Sequence, residues 1–288
     1  IESGRANGIY VNGRKEEADY VVCNADFPYA MKYLVQDKQA KGKYTDAKID
    51  AMKYSCSCFL LYLGTSRKYE EVEAVHNFVF KSDLKNNIDD IFTGKRLRNG
   101  AFYVHIPTKV DPSMAPEGKE VIYVLLPVSE LSTAKYEWND ETIQYYRDYL
   151  IGEMKKIKGF EQIEQEIISE SYITPVDFKE RFNAYNGATF GLQPTLTQSN
   201  HMRPQSKATH CENLYFTGSS THPGAGVPIV LLSAKIAVQE LILDDKGTVF
   251  NAAFSVSGAF VFASHLAYTV AVNAEYVPSM IVGKLISE

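Results

Sequence analysis

The chain has 288 residues, of which 45% are hydrophobic and 23% charged, with 19 Tyr and 15 Phe. This composition excludes a mostly disordered chain and predicts about two globular domains. Thirty Lys+Arg against 35 Asp+Glu give a net charge of -5, with no long block of like charge, so nucleic acid is not an expected partner.

In chain order, Ile9–Val11, the turn Asn12–Gly13 and the run Ala18–Cys23 read as a hairpin followed by a buried strand. A polar stretch from Gln36 to Lys48 leads into a second strand candidate, Tyr54 to Leu63. Lys119 to Val128 reads as a strand apolar on both faces. Ile143, Tyr146, Leu150, Met154 and Ile157 recur at helical spacing, with Asn139 or Asp140 to cap the start and Gly159 the end. Thr174-Pro175-Val176-Asp177 is a capping-box pattern that predicts a short helix through Phe182. A Gly-, Pro-, Gln- and Ser-rich loop spans Gly187 to Lys207. Next come a strand at Asn213–Thr217, a glycine turn from Gly218 to Pro228, and an apolar helix from Ile229 to Leu243. From Val249 to Val272 there is no formal charge, a length able to span a bilayer. Asn251, Ser255, Ser257, Ser264 and His265 interrupt it, so a buried hairpin or helix fits equally.

Cys23, Cys56, Cys58 and Cys211 are too few for a disulfide framework and lack the paired spacing of a zinc site, so reduced thiols, a cytosolic setting and no metal are expected. Cys56 and Cys58 share one strand face, where packing competes with redox or metal work. No stretch resembles a signal peptide and no N-x-S/T sequon occurs.

The chemistry concentrates in the glycine turn. Gly218, Gly224 and Gly226 allow backbone to approach a flat or anionic ligand, Pro228 suits a first helical turn, and the helix start directs N–H groups and positive dipole outward. Ile229 stands where a dinucleotide fingerprint has its third Gly. A nucleotide or flavin contact and an ordinary strand-to-helix connection both fit the glycines; the pair His222–Pro223 favours the former.

Residues Glu212 to Pro228 closely resemble the C-terminal FAD-contacting signature of bacterial carotenoid desaturases, the phytoene and dehydrosqualene desaturase family. Ala18–Asp26 resembles that family's strand entering the flavin domain. Val104–Thr108 with Asp111–Lys119 resembles the stretch before its inner strand, and Gly191–Pro194 with Arg203–Pro204 resembles a substrate-domain loop. The resemblance covers about Gly8 to Asp245 and is nearest the members acting on C30 substrates. It implies FAD as cofactor, held by Gly218, Thr221, His222, Pro223, Gly224, Gly226, Val227 and Pro228 together with Asn24 and Asp26. His222 then contacts the flavin or acts as a structural cap, and Asp26 faces the cofactor or caps the next helix. No catalytic base is assigned.

The implied fold is mixed α/β: an incomplete Rossmann-like FAD domain (1–50 and 206–246), an antiparallel-sheet substrate domain (51–205) and a hydrophobic helical tail (247–288). The family's opening Gly-x-Gly-x-x-Gly is not in this sequence, which reads as a C-terminal portion. Phe260–Thr269 and Met280–Leu285 resemble the C-terminal end of the ethanolamine permease family, so the tail is expected to be foreign. The implied reaction is dehydrogenation of an isoprenoid polyene by an enzyme in the cytoplasm, peripheral to a membrane surface. An inactive fragment or fusion product, or a polyene isomerase or oxygenase, is the alternative. Tyr54, Phe59, Tyr62, Phe78, Phe80, Phe102 and Tyr103 either line a tunnel for the polyene or form ordinary core.

Overall fold

The computed structural model describes residues 1–80, 83–245 and 280–283, in two compact units. The chain opens with strands β1 (Gly8–Val11), β2 (Arg14–Glu17) and β3 (Tyr20–Cys23). Helix α1 (Phe27–Tyr29) runs into a π-helix (Ala30–Leu34), and α2 (Lys38–Lys41) and α3 (Asp46–Asp50) follow. These belong to the first unit. The second unit holds β4 (Ser57–Thr65), β5 (His76–Val79), α4 (Leu84–Thr93), β6 (Phe102–His105), β7 (Glu120–Val128), α5 (Asp140–Met154), α6 (Ile163–Glu166), β8 (Ile167–Ile173) and most of α7 (Pro175–Phe182). The chain then returns to the first unit for β9 (Leu214–Phe216), α8 (Val227–Asp244) and β10 (Met280–Gly283).

In the first unit, β1 and β2 pair as the expected hairpin. Its turn residues Asn12 and Gly13 both have positive φ, 51° and 79°, the combination that Asn-Gly supplies most readily. The main sheet of this unit has β3 in the centre. β9 lies parallel to it, Val22 opposite Tyr215, and β10 lies antiparallel on its other edge, Ile281 opposite Val22. Ala18–Asn24 and Leu214–Thr217 therefore do share a sheet. Phe27 meets Phe216 edge-on at 4.9 Å and Tyr44 at 4.8 Å, closing one side of it.

In the second unit the described strands form an antiparallel sheet of order β5-β6-β7-β4-β8, with β4 and β7 paired from Ser57–Val128 to Thr65–Glu120. Alternation decides which side is core. Phe59, Leu61, Leu63, Phe102, Val104, Ile122, Val124 and Leu126 are buried against Tyr146, Leu150 and Met154 of α5. The complementary residues of β7, Val121, Tyr123, Leu125 and Pro127, are only half-buried. This corrects the expectation of a strand buried on both faces: apolar character on the second side does not mean that a helix covers it.

Local signals set the helix ends. The Asn139 side chain accepts from Thr142 N at 3.0 Å and starts α5, while the helix stops at Met154 and the expected stop, Gly159, sits in the following turn. The Thr174 and Asp177 side chains cap each other's backbone N–H at 3.3 and 2.8 Å, the reciprocal arrangement that begins α7. Cys56 lies just before β4 rather than on it, and burial pushes the Cys58 thiol up to about 12. Both stay protonated and serve as packing.

Of the tail, 246–279 and 284–288 lie outside the described residues, as does the uncharged run Val249–Val272. Met280–Gly283 are strand and not helix, which corrects the helical expectation there. No described helix is long and apolar enough to cross a membrane.

The core assignment has a direct check in stability. Leu61→Ala, at a fully buried position, should cost about 2–5 kcal/mol. Leu196→Ala, where the side chain is 95% exposed, should stay within about 0.5 kcal/mol. Urea unfolding midpoints report both.

Candidate functional site

Because β3 and β9 run parallel, their carboxyl ends lie side by side, and Thr217 N continues the ladder by donating to Cys23 O at 3.0 Å. Ligands of open α/β sheets bind beyond such ends. Here the chain leaves β3 through exposed Asn24 and leaves β9 through Gly218, whose absent Cβ would stand 3.6 Å from Asn24 Oδ1.

The turn from β9 into α8 depends on glycine. Gly218, Gly224 and Gly226 have φ of 123°, 142° and 109°, a region that side-chain-bearing residues rarely adopt. Gly226 caps α8 with no side-chain bond, and Pro228 occupies its first turn. First-turn N–H groups thus point out of the helix end, together with its positive dipole.

Side chains behind the turn hold it in place. Ser233 Oγ accepts from Gly218 N at 3.0 Å, lies 2.7 Å from Thr217 Oγ1 and donates to Val230 O at 2.7 Å. Thr221 is buried and its hydroxyl donates to Gly218 O at 2.9 Å. Arg203, only 2% exposed, donates to Thr221 O at 3.0 Å, Ser219 O at 2.6 Å, Leu192 O at 3.1 Å and Gln198 O at 3.0 Å. Gly191, with φ of 67°, packs so closely that a Cβ would lie 2.2 Å from Ser220 Oγ. Ser220 in turn donates to the buried carboxylate of Asp26, which also accepts from Tyr185 N at 2.9 Å. Burial raises the Asp26 carboxyl, against the pull of those two donors and of the Arg203 charge. Burial also lowers Arg203, against the charge of Asp26.

The expected site residues divide accordingly. Gly218, His222, Pro223, Gly224, Gly226, Val227, Pro228 and Asn24 lie in the turn or beside it. Thr221 and Asp26 spend their side chains inside the protein, and Asp26, although at the N-cap position of α1, makes no side-chain cap there. Arg203 and Gly191, expected in a substrate-domain loop, fall in the first unit and brace the turn. Ser220 and Ser233 carry no sequence signal beyond their hydroxyls.

One polar atom of the turn is left over. His222 N donates to Pro204 O at 2.7 Å, but its Nδ1 is buried without a hydrogen-bond partner. A buried ring nitrogen without a partner is costly, and a ligand with a polar edge would relieve it. The FAD implied by the resemblance fits: glycine backbone for a flat ring, a helix start for electron-rich atoms and one free imidazole nitrogen.

The expected aromatic set also divides. Tyr54, in the first unit, lies tilted against Tyr185 at 5.2 Å, and Phe59 and Phe102 are core. On the other face of the second unit's sheet, Phe78, Tyr103 and Tyr62 join with Tyr123 in a ladder of rings. Phe78 to Tyr103 is 5.0 Å, Tyr103 to Tyr123 is 6.1 Å, and Tyr123 to Tyr62 is 5.4 Å.

The family model for flavin containing amine oxidoreductase matches residues 2–242. A second model, ethanolamine utilisation protein, EutH, matches residues 224–288. The chain is 44% identical over 241 residues to the 4,4'-diapophytoene desaturase (4,4'-diaponeurosporene-forming) of Staphylococcus haemolyticus, covering 83% of this chain and 48% of that protein. It is 44% identical over 242 residues to the protein of the same name from Staphylococcus aureus strain Newman, with the same coverage. The chain thus spans about half the length of the curated relatives it matches. A crystal structure of an oxidoreductase from Methanosarcina mazei shares the fold with a TM-score of 0.51 at 16% identity, over 84% of this chain and 47% of that one.

The buried charges generate two checks. Arg203→Met leaves four backbone carbonyls without their buried donor and removes the positive charge near Asp26, and should cost about 3–5 kcal/mol, read by urea unfolding. The Asp26 carboxyl is raised in the folded state, so the fold binds that proton more tightly than the unfolded chain. Its contribution to stability is therefore greatest at low pH and declines as pH rises from about 4. Asp26→Asn should flatten that part of the stability curve between about pH 4 and pH 7; parallel curves for the two proteins would exclude burial as the cause.

Proposed function

Because the chain belongs to the flavin containing amine oxidoreductase family, we propose that it supplies the flavin-ring cradle and the substrate sheet of an FAD-dependent desaturase acting on an isoprenoid polyene. The observation that carries this reading is the braced turn Gly218–Pro228 with its unpartnered His222 Nδ1, inside a stretch 44% identical to desaturases of that name. The sequence contains no Gly-x-Gly-x-x-Gly, so this chain holds one end of the cofactor and not the diphosphate end.

When bound, the flavin supplies a two-electron acceptor for removing hydrogen from a carbon–carbon bond. The residues of this chain bind and orient. Gly218, Gly224 and Gly226 offer backbone at contact distance, the start of α8 favours negative charge, and His222 Nδ1 gains a hydrogen bond. Arg203 and Ser233 keep the turn in one conformation before any ligand arrives, which lowers the ordering cost of binding. On the sheet of the second unit, the ring faces of Tyr103, Tyr123 and Tyr62 suit a long conjugated chain. A substrate dissolved in the bilayer supports a location peripheral to the membrane, and four free cysteines support its cytoplasmic side.

FAD titration of the purified chain, followed by flavin fluorescence, tests the reading. Weak saturable binding is expected, because only one end of the cofactor is held. Gly224→Val should abolish it through φ of 142°, and His222→Phe should weaken it about five- to tenfold, the effect of one hydrogen bond. Adding the Gly-x-Gly-x-x-Gly half of a family member should raise affinity and restore conversion of a C30 polyene. Absence of flavin binding even with that half present would overturn the proposal.

A further inference from the structure

The main sheet of the first unit is closed differently at its two sides. Val21 N donates to Asn213 O at 2.8 Å and Cys23 O accepts from Thr217 N at 3.0 Å, so residues 21 and 23 bond toward β9. Backbone groups alternate along a strand, and Tyr20 and Val22 therefore turn theirs to the opposite edge. On the far side of β9, Phe216 N donates to Ser206 O at 2.6 Å and Ala208 N to Leu214 O at 3.0 Å, with Lys207 bridged to Tyr215. Residues 206–208 lie within the flavin family match, which ends at 242. That side is closed by the family fold itself.

The edge of β3 is closed from outside that match. β10 pairs there, Ile281 opposite Val22, and belongs to the stretch matched only by the ethanolamine utilisation protein model. Its direction does not suit a ligand-binding strand. Antiparallel pairing sets Met280 beside Cys23, so β10 begins where β3 ends. A strand whose following turn meets a ligand next to Gly218 has to end there, parallel to β3 and β9. β10 thus fills the edge without adding a turn to the site.

The chain spans 48% of its Staphylococcus haemolyticus relative. On the flavin reading above, the other half brings a strand followed by a glycine turn for the diphosphate. Such a strand joins the sheet through its main-chain bonds, and of the two sides described, only the edge of β3 is not taken by family residues.

We propose that the edge of β3 is the docking surface for that other half, which adds a strand parallel to β3, and that β10 is a competitor within the chain that keeps this surface occupied. The identity of the incoming half rests on the flavin reading; the seating of β10 on β3 does not require flavin. A competitor seated about nine-tenths of the time lowers the apparent affinity of its rival about tenfold.

The test co-expresses the full chain, tagged, with the portion of the Staphylococcus haemolyticus relative that it does not span, and measures how much of that portion is recovered. Ile281 faces Val22 in a pair that exchanges ladder bonds, so Ile281→Pro removes a donor from β10. Recovery should rise, by up to about tenfold. Met280 faces Cys23 in the intervening kind of pair, where the Cα atoms approach most closely. In the chain alone, Met280→Cys should form a disulfide with Cys23 under mild oxidation, whereas Gly283→Cys, three residues on, should not. In the recovered complex the Met280→Cys protein should keep both thiols free, because β10 has been displaced. This exclusion decides the matter even where the proline variant folds poorly.

Failure of the Met280→Cys chain to cross-link, equal cross-linking in chain and complex, or no recovery of the other half from any variant would overturn the proposal. So would self-association of the Ile281→Pro chain in place of increased recovery, which would assign the edge to a second copy. Flavin content of the complexes keeps the two readings apart: flavin bound with cross-linking unchanged refutes this inference alone, and exclusion of the cross-link without flavin refutes only the cofactor assignment.

Discussion

Arg203 sits inside the first unit with its charge intact and its guanidinium spread over the carbonyls of Leu192, Gln198, Ser219 and Thr221. Burying a cation costs several kcal/mol unless geometry and partners offset it. Here the offset comes from four backbone dipoles and the neighbouring Asp26 carboxylate. The arrangement ties two segments that are distant in sequence, the loop from Gly191 and the turn from Gly218, into one piece. The close contact of Gly191 with Ser220 and the bond from Ser220 to Asp26 are possible only because that piece is fixed. A glycine turn alone has too many conformations to hold a ligand; the guanidinium behind it removes most of them.

The second unit solves a different problem with the same economy of parts. A single antiparallel sheet carries two apolar faces, and α5 covers one of them. The covered face is mostly aliphatic, with Leu61, Val124 and Val104 fully buried beside Phe59 and Phe102. The opposite face is built from Tyr62, Tyr123, Tyr103 and Phe78, which tolerate partial exposure because rings combine a large apolar area with few rotamers and, in tyrosine, a wet tip. Strand alternation thus sorts fully buried side chains from half-exposed ones, and the tyrosines gather on the face that is left to be touched.

What could be read from the sequence was what short-range physics writes into neighbouring residues. The Asn12–Gly13 turn, the Thr174–Asp177 capping box, the Asn139 cap and the proline at the start of α8 each depend on a few adjacent side chains. The resemblance located the glycine turn as well. The bracing role of Arg203 has no such mark, because its partners are backbone carbonyls, which every residue carries and no pattern distinguishes. Asp26 and Ser220 lie 194 positions apart, and neither has a signature that names the other. Helix α4 was not anticipated, since Asn86, Asn87, Asp89 and Asp90 are weak helix formers and its exposed apolar stripe has only three members, Leu84, Ile88 and Phe92. The four-residue strands β5 and β6 are too short to show alternation, and the π-helix Ala30–Leu34 has no local code at all.

The division of the chain between the units has a consequence for its synthesis. The second unit is almost continuous, 56–181 with a short return at 186–189, so its sheet can close while the ribosome is still translating. The first unit cannot. Strand β3 emerges early, yet β9 and β10 emerge only after the whole second unit has been made. For that interval β3 lacks both of these partners, and strand edges left without partners invite pairing with other chains. Of the two units the second is then complete first, and the segments that form the glycine turn come together only when Arg203 and α8 have both left the exit tunnel.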